Sequence, residues 1–351
     1  MAIRVAVNGA GRIGRSFIKI AKDRSEIELV AMNDLGDADN IAYLIKHDTV
    51  YGTAPFEVRV SDDKKKIIIT DPPSQSSGEA KKEILYLSEK DPANLPWKDL
   101  NIDVVVESTG FFITYETAKA HLDAGAKKVV VTAPMKDDPS PEIPGATVLM
   151  GVNESELSTC NISSNASCTT NAASPLIAIL DEAIGIEKAL LNTAHALTNS
   201  QPTVDSPNKH NIREGRAGGH NIVPTSTGAA IAVTKAFTKL NGLFDGVAMR
   251  VPVIAGSLVD ITFIAKRDTS VEEINQFLKN AAEDPRWQNV FSVTEEELVS
   301  SDIIGSKFGS IADLNLTRVV GGNLVKVCAW YDNEMGYTYT LVEHVIKTGQ
   351  V

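Results

Sequence analysis

Three glycines constrain this chain more than any other feature. Gly9, Gly11 and Gly14 form GxGxxG in VNGAGRIGR, straight after the apolar run IRVAVN and at the head of a segment with helical periodicity, RIGRSFIKIAKDR. A second β-rich run, IELVAMND, brings Asp34 to its end, 20 residues past Gly14. Together these make one βαβ unit of roughly 30 residues. The glycine turn lets backbone approach a pyrophosphate, and the helix N-terminus faces the negative charge. A carboxylate at the end of the second strand accepts hydrogen bonds from a ribose diol and repels a 2′-phosphate, so the pattern favours NAD over NADP.

The rest of the first half repeats the alternation. DVVVES and KKVVVTAP read as buried strands with a helix, ITYETAKAHLDAG, between them. Continuous Val-rich runs suit a parallel sheet covered on both faces. We therefore expect a Rossmann-type doubly wound parallel sheet over residues 1–167. Residues 61–99 are hydrophilic and read as a surface excursion. After residue 167 the pattern changes. NAASPLIAILDEAIG reads as a helix, and GLFDGVAMRVPV and SLVDITFIAKR as longer alternating strands. Residues 199–226, rich in Gly, Pro, Asn and His, are too long for an ordinary connection. This predicts an α+β catalytic domain with a mostly antiparallel sheet over 168–332, and a C-terminal helix, 333–351, packing back on the first domain.

A chain of 351 residues with 43% hydrophobic content is long for one core, which agrees with two domains. The net charge of −11 disfavours non-specific binding to nucleic acid or to an anionic membrane. The three cysteines, Cys160, Cys168 and Cys328, include no CxxC pair, which argues against a disulfide framework or a structural metal site. No signal-peptide core and no run long enough to span a bilayer are visible, so a cytoplasmic location is expected.

Cys168 stands in NASCTTN, among small and hydroxyl residues at the expected start of a helix. It reads either as a small buried side chain or as a nucleophile. A helix N-terminus would lower its thiol pKa, and Ser167, Thr169, Thr170 and Asn171 offer donors to a developing oxyanion. His195, where a strand ends in LLNTAHALTNSQ, could pair with it in the fold as a base. Arg213, Arg216 and Arg250, near the hydroxyl-rich PTSTGAA, suit either a phosphate or a solvated surface.

VNGAGRIGR, MNDL, ESTGFF, DAGAKKVVVTAP, SNASCTTN, REGR, PTSTGAA, AMRVP and WYDNEMGY occur in this order nearly end to end. In these segments the chain resembles the phosphorylating glyceraldehyde-3-phosphate dehydrogenases. That resemblance implies Cys168 as nucleophile and His195 as base, acting through a hemithioacetal and an acyl thioester. It implies that Thr198 and Arg250 hold the phosphate of glyceraldehyde 3-phosphate. Ser167, Thr169, Arg213, Thr227 and Gly228 would hold inorganic phosphate. Gly9, Gly11, Arg12, Ile13, Gly14, Asp34, Thr132, Asn333 and Tyr337 would line the NAD site, with Lys90 where the family often has arginine. It also implies a homotetramer. Against the family pattern, Leu197 replaces an aromatic, Ala172 a second cysteine, Ile231 a lysine and Pro202 a basic residue. Two other readings are an erythrose-4-phosphate dehydrogenase, which uses water as acyl acceptor, and a non-catalytic binding protein on the same fold.

Overall fold

The run IRVAVN forms β1 (Ile3–Asn8), buried along nearly its whole length, as a central parallel strand must be. The computed structural model, which describes residues 1–72, 81–209 and 211–351, divides into two compact units. The first comprises Met1–Val148, Glu154–Asn165 and Leu341–Val351; the second comprises Leu149–Asn153 and Ala166–Thr340.

In the first unit β1 is followed by α1 (Arg12–Ala21), β2 (Ile27–Asn33) and α2 (Ala38–Lys46), then by a two-residue hairpin, β3 (His47–Asp48) and β4 (Gly52–Thr53). Next come β5 (Glu57–Val60), β6 (Lys66–Thr70), β7 (Lys81–Leu87), β8 (Val104–Glu107), α3 (Tyr115–Asp123), β9 (Lys128–Val131), β10 (Gly145–Thr147) and β11 (Ile162–Ser164). The sheet order is β10-β11-β9-β8-β1-β2-β7-β6-β5. Pairing is parallel from β10 to β7. The inner strands β7-β2-β1-β8-β9-β11 follow the order of a dinucleotide-binding fold, whose order reverses between β1 and β8.

An antiparallel edge, β5, β6 and β7, extends the parallel sheet. One expectation needs correction here: residues 61–72 and 81–99 are not a surface excursion. Ile67, Ile68 and Ile69 of β6 are buried, and Leu95 and Trp97 belong to a core cluster with Ala6, Ala31 and Val105. Lysines flanking KIIIT lower the average hydropathy and hide a strand that needs only three apolar residues. Residues 73–80 of that stretch lie outside the described residues.

At the carboxyl ends of the central strands the register sets Asn33, Asn8 and Glu107 side by side. Asn33 Nδ2 donates to Asn8 Oδ1 at 2.7 Å, and Asn8 Nδ2 to Glu107 Oε2 at 2.6 Å. Trp97 Nε1 donates to His121 Nδ1 at 3.0 Å. That leaves His121 Nε2–H to donate to Glu107 Oε2, also at 3.0 Å. The Thr109 amide donates to Glu107 Oε1 at 2.8 Å. Glu107 and His121 have no exposed side-chain surface, so losing the carboxylate would strand several buried donors. Glu107→Ala is expected to lower unfolding free energy by about 3–5 kcal/mol, read by urea denaturation. A loss below about 1 kcal/mol, the size of one ordinary hydrogen bond, would show that the network does not hold the sheet.

The second unit contains α4 (Cys168–Ile184), β12 (Ile186–His195), β13 (Val223–Ser226), α5 (Ala229–Ala236), β14 (Phe244–Arg250), β15 (Ser257–Ala265) and α6 (Val271–Glu283). It continues with β16 (Phe291–Thr294), β17 (Ser310–Asp313), β18 (Arg318–Val320), β19 (Leu324–Tyr331) and α7 (Met335–Thr348). The sheet order is β13-β14-β12-β15-β19-β17-β16, with β18 on β19. Only β12–β14 and β16–β17 pair in parallel. One face, carrying Leu191, Val259, Ile261, Phe263 and Val327, shares a core with Leu176 and Leu180 of α4, Val233 of α5 and Ile274 of α6. The long polar stretch holds two 3-10 turns, Ile212–Gly215 and Gly218–His220, before β13. The C-terminal helix is shorter than expected. Asp332 Oδ1 accepts from the Glu334 and Met335 amides, which starts the helix at Met335. Its residues to Thr340 belong to the second unit and those from Leu341 to the first.

Candidate active site

In the first unit a cleft of about 530 Å³ opens at the strand ends beside the glycine turn. Gly9 has φ +101°, and a Cβ there would lie 2.7 Å from the Thr109 nitrogen. A Cβ on Gly14 would lie 2.0 Å from the Gly9 carbonyl oxygen, so helix α1 could not approach the turn. Gly11 is different, because nothing lies within 4 Å of a Cβ there. Its missing side chain leaves open space on the cleft side, which a pyrophosphate needs. Gly11 is also the N-cap of α1, and no side chain caps that helix.

Asp34 is half-buried at the cleft edge. Its Oδ2 accepts from the Ala10 amide at 2.6 Å and its Oδ1 from the Gly36 amide at 2.8 Å. The carboxylate is thus held in one orientation, with lone pairs left for a diol. Lys90 lines the same cleft. Arg12 and Ile13 open α1, and Arg12 pairs with Asp48 at 2.8 Å and stacks over Tyr51. Thr132 follows β9, and its amide donates to the Glu107 carbonyl. Sequence reasoning missed Leu35, Phe111 and Phe112 on the cleft wall. Leu35 and Phe111 are 63% and 83% exposed, which suits the faces of an aromatic base. Their only signal was position, directly after Asp34 and after ESTG. This donor set and open turn fit NAD. Asp34→Ala is expected to weaken NAD by about tenfold, the loss of one charge-assisted hydrogen bond, and NADP much less. Equal losses in calorimetric titrations would sink the diol argument.

In the second unit, Ala166 sits in the left-handed region at φ +54°, which costs an alanine roughly 1–2 kcal/mol. The Tyr337 hydroxyl donates to its carbonyl at 3.1 Å. Past this turn, Ser167 caps α4, its Oγ accepting from the Thr170 amide at 3.1 Å, and Cys168 is the first helical residue. Cys168 Sγ lies 3.3 Å from His195 Nε2. His195 ends β12, only 3% exposed, and pairs across the ladder with Arg250 at the end of β14. Arg250 Nη1 reaches His195 Nδ1 at 2.5 Å, and the Ala196 carbonyl lies 2.7 Å from the same ring nitrogen. Arg250 Nε is buried with no hydrogen-bond partner.

The thiol departs from expectation. Burial pushes the Cys168 pKa up, and the opposing Arg250 charge and Thr169 amide do not outweigh it. Burial, with Arg250 adding to it, holds the His195 imidazole down to about 3. Desolvation therefore works against both the thiolate and the imidazolium in the unliganded site. The helix terminus alone does not make the thiolate, because desolvation opposes charge on both partners.

The remaining expected residues are placed as follows. Thr169 is buried, its hydroxyl 2.9 Å from that of Tyr331, which also meets Thr193 at 2.8 Å. Thr198 Oγ1 donates to Gln201 Oε1 at 3.1 Å. Thr227 Oγ1 accepts from the Ala229 amide, and Gly228 caps α5. Arg213 is exposed on its 3-10 turn, and its amide donates to Asn211 Oδ1 at 3.0 Å. Asn333 is buried and accepts from Ser257 Oγ at 3.1 Å. The sequence reading missed Tyr331, Thr193 and Ser257, whose alternating strands gave no sign of a polar role. A second triad-like chain, Ser163–His344–Asn165 in the first unit, is wholly buried and offers no access to a substrate. Among the described residues no cluster of His, Cys, Asp or Glu could hold a metal ion.

Two family models match the chain. "Glyceraldehyde 3-phosphate dehydrogenase, NAD binding domain" covers residues 3–115, and "Glyceraldehyde 3-phosphate dehydrogenase, C-terminal domain" covers 167–333. Among curated proteins, the chain is 42% identical over 352 residues to a glyceraldehyde-3-phosphate dehydrogenase of Streptomyces coelicolor, covering 99% of both chains. It is also 43% identical over 350 residues to glyceraldehyde-3-phosphate dehydrogenase 3 of Saccharomyces cerevisiae, covering 98% of this chain and 99% of that one.

Proposed function

The chain belongs to the glyceraldehyde 3-phosphate dehydrogenase family, and we propose that it oxidises glyceraldehyde 3-phosphate, with NAD and inorganic phosphate, to 1,3-bisphosphoglycerate. The observation that carries this is Cys168 Sγ at 3.3 Å from His195 Nε2, at the first residue of a helix and with Arg250 on the far side of the imidazole.

Residues 1–167 act as the cofactor-binding domain and 168–332 as the catalytic domain. NAD, when bound, supplies the hydride acceptor. Arg250 and Thr198 hold the substrate phosphate; the unpartnered Arg250 Nε supports this, being a buried donor that lacks an acceptor. The Cys168 sulfur attacks the aldehyde carbon and forms a hemithioacetal. His195 accepts a proton and returns it to, or takes it from, the hemithioacetal oxygen. Loss of hydride leaves an acyl thioester on Cys168. Inorganic phosphate, held by Ser167, Thr169, Arg213, Thr227 and Gly228, attacks the thioester carbonyl. The carbon–sulfur bond breaks, the acyl phosphate leaves, and the thiolate returns. Asn333 and Tyr337 complete the cofactor site in this reading.

We further propose a cytoplasmic homotetramer that needs neither membrane nor nucleic acid. Three free cysteines suit a reducing compartment, and no described helix is long and apolar enough to cross a membrane. Helices α4, α5 and α6 share the core on one face of the second sheet. Leu190 of β12 and Val247 of β14 are 67% and 49% exposed, and Leu190 lines a concavity of about 430 Å³ with Leu243, Phe244, Ile264 and Leu324. Apolar surface of this kind seeks a second copy. Sedimentation at the mass of a single chain would remove this part of the proposal.

The test is NADH formation from glyceraldehyde 3-phosphate and NAD, with and without phosphate. The expected result is sustained turnover that requires phosphate. Turnover indifferent to phosphate would mean hydrolysis of the thioester and would turn the assignment toward erythrose-4-phosphate dehydrogenase.

A further inference from the structure

The amide side chains under the dinucleotide cleft have no freedom to flip. Asn33 Oδ1 accepts from the Glu89 amide at 2.8 Å, while its Nδ2 donates to the Glu89 carbonyl at 2.9 Å. A backbone amide only donates and a carbonyl only accepts, so this clamp fixes which end of Asn33 is oxygen. The second Nδ2 proton of Asn33 then goes to Asn8 Oδ1 at 2.7 Å. Asn8 is left to present its own Nδ2 to Glu107, 2.6 Å from Oε2. A second chain arrives from the core. The Trp97 indole only donates, so its contact with His121 Nδ1 at 3.0 Å puts the lone pair there and the ring proton on Nε2, which faces Glu107 Oε2 at 3.0 Å. Asn8 Nδ2 and His121 Nε2 stand 3.4 Å apart because they share one acceptor. A third chain runs outward. The Thr109 amide, at 2.8 Å, and the Thr109 hydroxyl both donate to Glu107 Oε1, and the hydroxyl oxygen accepts in turn from the Phe111 amide at 3.1 Å.

Every chain thus delivers a donor to Glu107. Only a carboxylate, which accepts at both oxygens and donates at neither, satisfies all of them. The same carboxylate joins opposite walls of the cleft. Phe111, 83% exposed, stands on one wall and is held through Thr109. Lys90, on the other wall, directly follows Glu89 and its clamp to Asn33. Asp34 directly follows Asn33. Glu107 and His121 have no exposed side-chain surface, so neither reaches a ligand itself. A core position does not need this arrangement for stability, since burying a charge costs desolvation that an apolar side chain of similar volume avoids. What the carboxylate adds is direction.

We propose that Glu107 is a positioning residue for the cofactor: its carboxylate ties Thr109 and Phe111 to Asn33 and Lys90, and so sets the width of the slot that receives the purine base of NAD. This rests on the reading of the cleft as the NAD site, with the base beyond Asp34 and between Leu35 and Phe111. Glutamine cannot do the same. With its oxygen toward Thr109, its Nε2 protons meet those of Asn8 and His121. Turned round, they meet the Thr109 amide. Neither Asn8 nor His121 can reverse without breaking its own chain. Moving the carboxylate one strand across mends the mismatch. When Asn8→Asp is combined with Glu107→Gln, the carboxylate at position 8 can accept from Asn33, from His121 and from the amide at position 107. The amide oxygen at 107 then serves Thr109.

The test is calorimetric titration of the full chain with NAD and with the analogue that carries cytosine in place of adenine. The small pyrimidine leaves a purine slot partly empty, so its binding depends little on the width of the slot. The wild type should prefer NAD. Glu107→Gln should weaken NAD by about tenfold, the loss of one strong hydrogen bond. It should weaken the cytosine dinucleotide by less than about twofold, so that the preference collapses. The double variant should recover NAD to within about threefold of the wild type, as coupled neighbours do. Equal losses for the two dinucleotides in Glu107→Gln, or no loss for NAD, overturn the proposal. A carboxylate that only holds the fold changes the folded fraction and not the choice of base. Where Glu107→Gln does not fold, the double variant decides: a restored preference for NAD supports the role, and a folded double variant without that preference overturns it. A wild type that binds both dinucleotides equally removes the base-slot reading and the positioning role with it. A wild-type preference that survives in Glu107→Gln removes the positioning role alone.

Discussion

Replacing Cys168 by alanine is expected to lower kcat by about 10⁴-fold or more, the scale seen when a covalent nucleophile is removed. The affinity for NAD should stay within about twofold, well under the tenfold that 1.4 kcal/mol produces. The two effects separate because Cys168 is not among the residues assigned to the dinucleotide, most of which lie in the first unit. The dinucleotide cleft is built by Gly9, Gly11, Asp34 and their neighbours in the first unit, and Cys168 opens α4 in the second. Folding should change little, since Cys168 is only partly buried against the core. The other cysteines provide the control. Cys160 and Cys328 are both buried; burial raises the Cys160 thiol and pushes Cys328 up to about 12. Neither has a histidine beside it among the contacts of the described residues, and alanine at either position should leave kcat within about twofold, as expected of inert buried cysteines. A rapid-mixing experiment without phosphate sharpens the test. The wild type should release a burst of NADH as the thioester forms and then stall. Cys168→Ala should show no burst. Turnover above about 1% of wild type would end the nucleophile assignment, because the remaining groups can supply only binding and acid–base help.

Much of this architecture was legible in the residues because the relevant physics is local. The glycine turn, the strand before it and the carboxylate at the end of the next strand all lie within one βαβ unit, so spacing alone located the cleft. Cys168 at a helix start was equally readable, since Ser167 is a good capping residue. What escaped was either averaged away or set by distant chain. KIIIT was lost among lysines, although its three isoleucines are buried in the sheet. Tyr331 looked like one more strand residue, yet its hydroxyl joins Thr169 to Thr193 across 162 and 138 residues of chain. The desolvation that opposes charge on Cys168 and His195 was also hidden. A helix N-terminus can be seen in a sequence, but the desolvation that opposes it depends on how completely the second unit encloses both groups.

His195→Asn should lower kcat by about 10²–10³-fold, the usual contribution of a positioned acid–base group, with KM for glyceraldehyde 3-phosphate changed far less. The variant keeps a side chain of similar reach but has no ring nitrogen that can exchange a proton with sulfur. Its kcat/KM profile should move to higher pH, because thiolate must then form without a proton acceptor from a thiol that burial has already raised. A profile that does not move would contradict the base assignment. The same substitution also has a stability signature, and its sign follows from the pKa. The folded imidazole is held at about 3, against about 6.5 for an unfolded histidine. Above pH 6.5 neither state is protonated and the residue contributes no pH dependence. Between 6.5 and 3 the unfolded chain takes up a proton that the folded chain refuses, so stability falls as the pH falls. His344, held at about 3 by burial and by Lys347, adds a loss of the same sign. His195→Asn should therefore lose less stability than the wild type between neutral pH and pH 4, as read by denaturant midpoints at each pH. Equal losses would mean that His195 is protonated in the fold at acid pH.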